Sequence, residues 1–454
     1  MPSLLNGRLL AWWDRLRAAY WFIPAAMAFA AAVLAVLLPL VDERLGTGWL
    51  DTAVWAHASR PDGARAMLSA IASSMIAVAG VVFSTTIATV TFAAGQLGPR
   101  LLANFMRDRR NQFVLGTFTA TYLYCLLVMR TVVSAEEAKG ELVRQAFVPN
   151  IAVLVALALA VLSIGVLIYF IHHAPRSVHA TSIAATLGRA LVRRLQPEAE
   201  ASPLPSHAPA PSVPPRRRVL APETGYVQTM DTDDLLETAT RHGLVLTLPH
   251  PPGAFVSEGT PLLLAHPDGR VSEDTERALR RAFVFGEGRT PAQDALFYAD
   301  ELVEMATRAL SAGINDPFTA NTCVDWLGSA AVVLARRGEA PPTRADAEGI
   351  VRLVLEPVTF ARYCDRTFGT LRPYVAADRT ATLHLVQVFG RVAATLARPT
   401  DRDVLRRHLA ALLDASARTF ALPEDRALLD GGRRGVLRVL DDPDAVADVL
   451  PEAV

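Results

Sequence analysis

The sequence predicts an α-helical polytopic membrane protein with four transmembrane helices and a cytoplasmic α+β region. That region is expected to contain a small β barrel-sandwich-like domain and a helical bundle. Hydrophobic residues make up 51% of the 454 residues, and their excess lies in the first 175. Four uncharged stretches there are long enough to cross a bilayer, which requires about 20 apolar residues. Short strand patterns and then amphipathic helical patterns follow.

The four spans are expected at about 21–41, 67–94, 113–129 and 147–171, inside a transmembrane domain of residues 1–175. The first could be mistaken for a secretion signal, but its apolar run is too long and no persuasive cleavage site follows. We interpret it as a retained span.

The distribution of arginines predicts the orientation of the spans. The connection after the second span is basic and contains Arg100, Arg107, Arg109 and Arg110. The first and third connections are slightly acidic. By the positive-inside rule, both termini lie in the cytoplasm. We expect a multi-pass protein of the bacterial inner (plasma) membrane.

Two segments connect the spans to the rest of the chain. Residues 176–196 form a basic amphipathic helix, which either lies on anionic lipid or continues inward as a stalk. Residues 197–218 contain seven prolines between Pro197 and Pro215. This composition predicts an extended, solvated linker.

Residues 219–270 show short strand patterns, including "GYVQTM" and "LVLTL", and a brief helix near 233–241. The turn "PPGAFVSEGTPLLLA" resembles the turn-and-strand unit of biotinyl and lipoyl carriers. Those carriers need a lysine on a hairpin, and the chain's single lysine is Lys139. Covalently attached biotin or lipoate is therefore excluded.

Residues 271–454 are expected to form a cytoplasmic helical domain of roughly five to seven helices. The segment 291–312 has the clearest amphipathic pattern, and similar patterns occur at 317–336, 345–355, 378–397, 401–420 and 424–440.

Two motifs carry a resemblance to a known family: "FAAGQLGPRLLANFMRDRRNQFVLGTFTATYLYCLLVMRTV" at 92–132 and "ALSAGINDPFTANTCVDWL" at 309–327. The chain resembles the bacterial predicted-membrane-protein family called domain of unknown function 2254. This resemblance covers nearly the whole chain. It implies the architecture and the membrane location, and it transfers no activity and no catalytic residue.

One side of the second span carries only small residues, at spacings of four and three. They are Ser69, Ser73, Ala77, Gly80, Ser84, Ala88, Thr91 and Gly95. Small residues let membrane helices approach closely, so one interpretation is helix packing. The other is a pore, in which the hydroxyl groups supply oxygen atoms to a passing ion or solute.

The third span has a matching polar row, with Thr117, Thr121, Tyr124 and Thr131 at similar spacings. Both rows are compatible with packing and with conduction if spans from several subunits meet around an axis. No charged residue appears within the four spans except at their edges, which argues against an ion-coupled carrier.

The arginines after the second span also have two interpretations. Arg100, Arg107, Arg109 and Arg110 could bind lipid phosphate at the cytoplasmic membrane edge. In a symmetric assembly they could instead form a ring that selects anions.

The segment "SAGINDPFTAN" predicts the junction between two helices. Gly313 would stop the first helix, Asp316 would cap the next, and Pro317 suits its first turn. The alternative is a cytoplasmic binding site, formed by Asn315 and Asp316 beside Arg308 and Glu304.

The sequence shows no catalytic motif, so we expect no enzyme and no cofactor. The adjacent His172 and His173 point about 100° apart on a helix, and Cys125, Cys323 and Cys364 are widely separated, so we expect no metal site. Charge is balanced at 45 basic and 45 acidic residues, so nothing suggests nucleic acid.

The favoured function is an oligomeric pore or channel-like transport protein of the inner membrane, with a cytoplasmic regulatory region. Its expected partners are membrane lipids and further copies of the same chain. The alternative is a non-conducting scaffold or sensor that oligomerises the cytoplasmic domains.

Overall fold

The computed structural model describes residues 21–45, 60–97, 109–133, 147–173, 179–196, 205–206, 217–338 and 342–442. The chain divides into two compact units, Met1–His179 and Ala180–Val454.

The first unit contains four apolar helices: α1 Phe22–Leu45, α2 Pro61–Leu97, α3 Arg109–Met129 and α4 Asn150–His173. Helix α3 is the central one, because it makes the most extensive contacts with α1 and α2 and also packs against α4. At Gly116 of α3 a Cβ atom would lie 2.6 Å from Sδ of Met27 and 3.2 Å from Cα of Pro24. The absence of a side chain there lets α1 and α3 approach closely.

The second unit begins with α5 Ala180–Leu195. A mixed α and β region follows, with β1 Pro205–Ser206, β2 Arg217–Leu220, β3 Gly225–Met230, α6 Thr232–His242, β4 Val245–Thr247, β5 Phe255–Val256, β6 Pro261–His266, α7 Glu273–Arg281 and β7 Phe283–Gly286. Helices then dominate, as α8 Phe297–Ala309, α9 Pro317–Arg337, α10 Phe360–Cys364, α11 Thr370–Val375, α12 Arg379–Ala393, α13 Pro399–Ser416 and α14 Pro423–Asp441, interrupted by β8 Thr343–Ala345 and β9 Val351–Val354.

The strands form two sheets that share one apolar core. The larger sheet has the order β1-β8-β9-β4-β6-β2, and the smaller has the order β5-β3-β7. Leu246, Leu262 and Leu353 of the larger sheet pack in the same cluster as Val227 and Val256 of the smaller one. The chain therefore contains a small mixed sheet region, and it extends past residue 270.

Two local expectations are wrong. The segment 345–355 was expected to be helical, but it contains strand β9, where Leu353 pairs in parallel with Leu246. The β-branched Val351 and Val354 suit a strand in a sheet better than a helix. Within the predicted linker, β1 pairs with Thr343 and Arg344 of β8.

The basic amphipathic helix α5 belongs to the core of the second unit. Its apolar side is buried, and it packs against α8 and α9; the buried residues are Ala184, Leu187, Gly188, Leu191 and Leu195. Arg337 of α9 donates a hydrogen bond to the carbonyl oxygen of Leu195 at 3.2 Å. A cation at a helix C-terminus is favourable. The apolar side is therefore covered by protein, which argues against the lipid-bound interpretation.

A partly buried ion-pair network joins the loop before α8, α8 itself and the segment that follows α10. Arg289 pairs with Asp294 at 2.6 Å and with Asp300, and Arg366 binds both oxygens of Asp300 at 2.8 and 3.0 Å. Burial alone would raise the pKa of the Asp300 carboxyl, but hydrogen bonds from Arg366 and Arg289 outweigh it and lower the pKa. Burial raises the pKa of neighbouring Asp294.

Five described helices are long and apolar enough to cross a membrane. Four are α1 to α4, and the fifth is α9, whose residues were expected in the cytoplasmic helical domain.

Candidate functional site

The small-residue side of α2 faces outward from the first unit. Every member of the row is exposed: Ser69, Ser73, Ala77, Gly80, Ser84, Ala88, Thr91 and Gly95. A Cβ atom added at Gly80 or Gly95 would meet no atom within 4 Å. We call these eight residues the outer row.

The opposite side of α2 makes the contacts within the unit. Ala64, Leu68 and Ala72 pack with Tyr124 and Val128 of α3. Further along, Met75, Ala79 and Val82 pack in a cluster with Val114 and Phe118 of α3 and with Val166 and Phe170 of α4. Helix α2 is therefore attached by one side, and the outer row lies on the other.

Large apolar side chains stand on both flanks of the outer row. Ile76 and Phe83 are exposed on one flank, and Val81 and Phe92 are exposed on the other, with exposed fractions between 45% and 68%. Because the row between them has small side chains, it forms a groove along the helix. Grooves of this kind receive the ridge of another helix.

The hydroxyl groups of α2 fall into separate groups. Ser84 and Thr91 lie in the outer row, whereas Thr86 is buried. Thr89 donates a hydrogen bond to the carbonyl oxygen of Thr85 at 2.7 Å, one turn back along the helix. Such bonding satisfies a hydroxyl group in lipid without a partner helix.

Helix α2 is longer than a bilayer core requires. Its 37 residues span about 55 Å. Val82 and Val114 belong to one cluster, but α2 continues fifteen residues past Val82, whereas α3 begins five residues before Val114. Helix α2 therefore extends roughly ten residues, or ~15 Å, beyond the start of α3.

The polar row of α3 points the other way, into the first unit. Thr121 shares a hydrogen bond with Ser163 of α4 at 3.2 Å, and the Tyr124 hydroxyl donates to the Ala152 carbonyl at 2.9 Å. Thr117 is buried and donates to Phe113 of its own helix. Thr121 and Tyr124 therefore join α3 to α4 within one chain, while Thr117 bonds within its own helix.

Asp42 has a structural role that the sequence alone did not indicate. It is only 6% exposed, and its two carboxylate oxygens accept hydrogen bonds from the backbone N–H groups of Ile151 and Ala152 at 3.0 and 3.1 Å. These groups lie in the first turn of α4, where N–H groups lack partners within the helix. Asp42 therefore ties the end of α1 to the start of α4.

The predicted arginine cluster is only partly described. Arg109 and Arg110 are exposed at the start of α3, while Arg100 and Arg107 lie outside the described residues. At the other end of α2, Arg65 donates a hydrogen bond to the Val132 carbonyl at 2.6 Å.

The "SAGINDPFTAN" residues form a helix junction. Helix α8 ends at Ala309, Asn315 adopts a left-handed conformation with φ of 51°, and Asp316 accepts a hydrogen bond from the Thr319 N–H at 3.0 Å as the N-cap of α9. The expectation that Gly313 stops the helix is wrong, because α8 ends four residues earlier. Arg308 pairs with Glu304 at 3.3 Å on its own helix.

Among the described residues, no group of three or more His, Cys, Asp or Glu side chains is placed to hold a metal ion. His172 is exposed at the end of α4, and the side chain of His173 lies outside the described part.

Comparison with known proteins places the chain in a family. The model of the family described as "Predicted membrane protein (DUF2254)" matches residues 17–391. The chain belongs to this family. Proteins similar to this DUF2254 chain include uncharacterized proteins of Mycobacterium bovis and of Mycobacterium tuberculosis, each 32% identical over 459 residues. The match covers 98% of this chain and 85% of each relative. No solved structure matches this DUF2254 protein.

The family description and the apolar helices agree. A DUF2254 protein is a predicted membrane protein, and α1 to α4 have the length and composition of membrane helices. The chain therefore fits an integral membrane protein, and the outer row of α2 is its candidate functional site.

Proposed function

We propose that this DUF2254 protein is an oligomeric pore of the bacterial inner membrane, in which the outer rows of several α2 helices meet around an axis. The observation that carries the proposal is the outward position of the row. A row that served packing within one chain would be buried, as the row of α3 is.

Contact with lipid alone is a poor explanation of the outer row. Its hydroxyl groups and glycines offer little apolar surface to acyl chains, whereas the flanking Ile76, Val81, Phe83 and Phe92 suit lipid well. In membranes, small residues at this spacing are the usual surface of helix association. The row also runs about 39 Å from Ser69 to Gly95, longer than the ~30 Å hydrocarbon core.

The chemistry of the outer row favours a pore that conducts a solute over a carrier that couples transport to an ion. Ser69, Ser73, Ser84 and Thr91 can present oxygen atoms to an ion or polar solute along the axis. The segment from Met67 to Leu97 carries no charged residue. A pore needs no charged coupling site, whereas secondary transporters usually keep one near the midplane.

We further propose that four helices span the membrane and that α9 does not. Asp325 of α9 pairs with His384 at 2.9 Å and with Arg391, and α9 packs against α5, α8 and α12 of the second unit. A helix with these partners suits the core of a water-soluble domain. With four spans, both termini lie on the arginine-rich, cytoplasmic side.

The small β region is proposed to be sandwich-like, as the resemblance of its turn to carrier domains suggests. The shared core of the two sheets supports this shape. The same proposal gives the cytoplasmic unit a regulatory role. It also includes contacts with lipid or anions by the four arginines after the second span, which are Arg100, Arg107, Arg109 and Arg110.

Conductance in planar bilayers tests the pore. The purified protein should show conductance, and Ser84→Phe should reduce it because a ring at the row would obstruct the axis. Ser74→Phe is the matched control, since Ser74 is exposed but lies about 90° from the centre of the row. Absence of conductance over a wide range of voltage and pH would favour the non-conducting scaffold.

A second arm of this experiment tests the arginines. Reversing the charges of Arg109 and Arg110 to Glu should shift the selectivity toward cations if these side chains line the cytoplasmic mouth. Unchanged selectivity would leave lipid phosphate as the partner of these two residues.

A further inference from the structure

A groove lies between α13 and α14, on the surface of the second unit. It has a volume of about 420 Å³, and its lining combines Arg406, Arg407 and Arg433 with Leu409, Ala410, Leu413, Asp414 and Leu437. We call it the basic groove. Its size lies in the range of small-molecule sites, which are ~300–1,000 Å³.

Packing of α14 on α12 explains why the groove stays open. At Gly432 a Cβ atom would lie 2.9 Å from Cγ1 of Val386, and at Gly390 it would lie 3.8 Å from Cγ2 of Val436. These small residues draw α14 toward α12. The side of α14 that carries Arg433 and Leu437 is left facing α13 across the groove.

The three arginines differ in their partners. Arg406 pairs with two carboxylates outside the lining, Asp403 at 3.0 Å and Asp441 at 2.5 Å, so its charge is already engaged. The side chains of Arg407 and Arg433 make no hydrogen bond or ion pair with any residue in the described part of the chain. Asp414 also lies in the lining without an ion pair there. The lining residues without an ion pair among the described residues, Arg407, Arg433 and Asp414, carry one net positive charge (two arginines and one aspartate).

We propose that the basic groove binds a singly charged phosphate ester that carries an apolar group. The guanidinium groups of Arg407 and Arg433 donate paired hydrogen bonds to the phosphate oxygens. Leu413 and Leu437 cover the apolar part of the ligand, and Asp414 accepts a hydrogen bond from a hydroxyl group next to the phosphate. A polyanion is disfavoured, since one net charge would not balance it.

This chemistry occurs in two sources, an anionic phospholipid and a soluble phosphate ester. A photoreactive short-chain phosphatidylglycerol has one negative charge, a glycerol hydroxyl and an apolar tail. It is the probe for the full-length protein in detergent, and mass spectrometry of the labelled peptides locates the binding position. Labelling by position separates the groove from lipid contacts of the membrane helices.

We expect labelled peptides within 406–437. Arg407→Gln combined with Arg433→Gln should lower labelling of the groove by about tenfold, because two charge-assisted contacts are lost. Ala410→Trp should also abolish it by filling the groove while leaving the charges in place. Arg434→Gln is the matched control, since Arg434 is exposed on the same helix and lies outside the lining.

Competition with glycerophosphoglycerol, the singly charged phosphodiester headgroup of the probe without its acyl chains, identifies the source. Displacement of the label would support a soluble phosphate ester, and persistence of the label would support the phospholipid. Equal labelling of the groove by a zwitterionic phosphatidylcholine of the same tail would overturn the proposal, as would labelling that Arg407→Gln with Arg433→Gln leaves unchanged. Both arginines are exposed, so their variants are expected to fold, and thermal unfolding of each variant verifies this.

Discussion

The indole ring of Trp326 lies directly over Gly188. A Cβ atom at position 188 would be 2.1 Å from Cδ2 and 2.3 Å from Cγ of this ring. Through this contact, α5, the first helix of the second unit, packs closely against α9. The hydrogen bond from Arg337 to Leu195 fixes the far end of α5 on the same helix.

Gly188→Ala should destabilise the second unit. Alanine favours a helix by about 1 kcal/mol over glycine, but overpacking against a rigid ring costs about 1–3 kcal/mol. We expect a net loss of ~1 kcal/mol, measured as a lower unfolding temperature in detergent. Gly313→Ala, where a Cβ atom meets nothing within 4 Å, should have little effect. Equal stability of Gly188→Ala and the wild type would contradict the close contact.

Asn315 tests whether the "SAGINDPFTAN" junction is structural. Its φ of 51° is left-handed, and its N–H bonds the Ser311 carbonyl at 2.9 Å. Asn315→Ala should cost roughly 1 kcal/mol of stability, whereas Asn315→Gly should cost less, since glycine adopts this conformation freely. Thermal unfolding of both variants makes the comparison. An alanine variant as stable as the glycine variant would instead favour a binding role of Asn315.

Asp42 should contribute to the stability of the first unit. Asp42→Ala leaves the N–H groups of Ile151 and Ala152 without an acceptor, and loss of such a cap costs about 0.5–2 kcal/mol. Glu43→Ala is the matched control, because Glu43 is the next residue and is exposed. Thermal unfolding or protease resistance in detergent should show a decrease for Asp42→Ala alone. A similar decrease for both variants would argue against the cap.

The Asp300 network predicts a pH dependence. Because the folded pKa of Asp300 is lowered, its contribution is fully present above the unfolded pKa, near 4, and is lost as pH falls through the folded value. Asp300→Asn should therefore lower the unfolding temperature at pH 7, and this difference should shrink below about pH 4. Asp274→Asn is the control, because the Asp274 side chain is 86% exposed in its ion pair with Arg277. A difference that stays constant with pH would contradict the assignment.

Much of the fold could be predicted from the sequence, because it depends on local patterns. Long apolar runs specify α1 to α4, and strand β3 and helix α6 were expected within a residue or two of their ends. Asp316 as the cap of α9 also followed from local chemistry.

What could not be predicted depends on contacts between distant segments. Strand β9 pairs with β4, which lies about a hundred residues earlier in the chain. Its short apolar segment can be recognised as a strand only when this distant partner is known. Asp42 looks like a loop acid until the first turn of α4 is placed beside it. The two polar rows had the same appearance in sequence, and only the packing of α2 and α3 shows that one faces inward and the other outward.

Cross-linking of the outer row tests the central claim most directly. Ser73→Cys and Ser84→Cys place thiols in the row, and Ala79→Cys places one on the side buried within the chain. Under mild oxidation in native membranes, we predict disulfide-linked dimers from Ser73→Cys and Ser84→Cys, and no dimers from Ala79→Cys or from the wild type, whose Cys125, Cys323 and Cys364 are buried. Failure of both row positions to cross-link would contradict an assembly through α2.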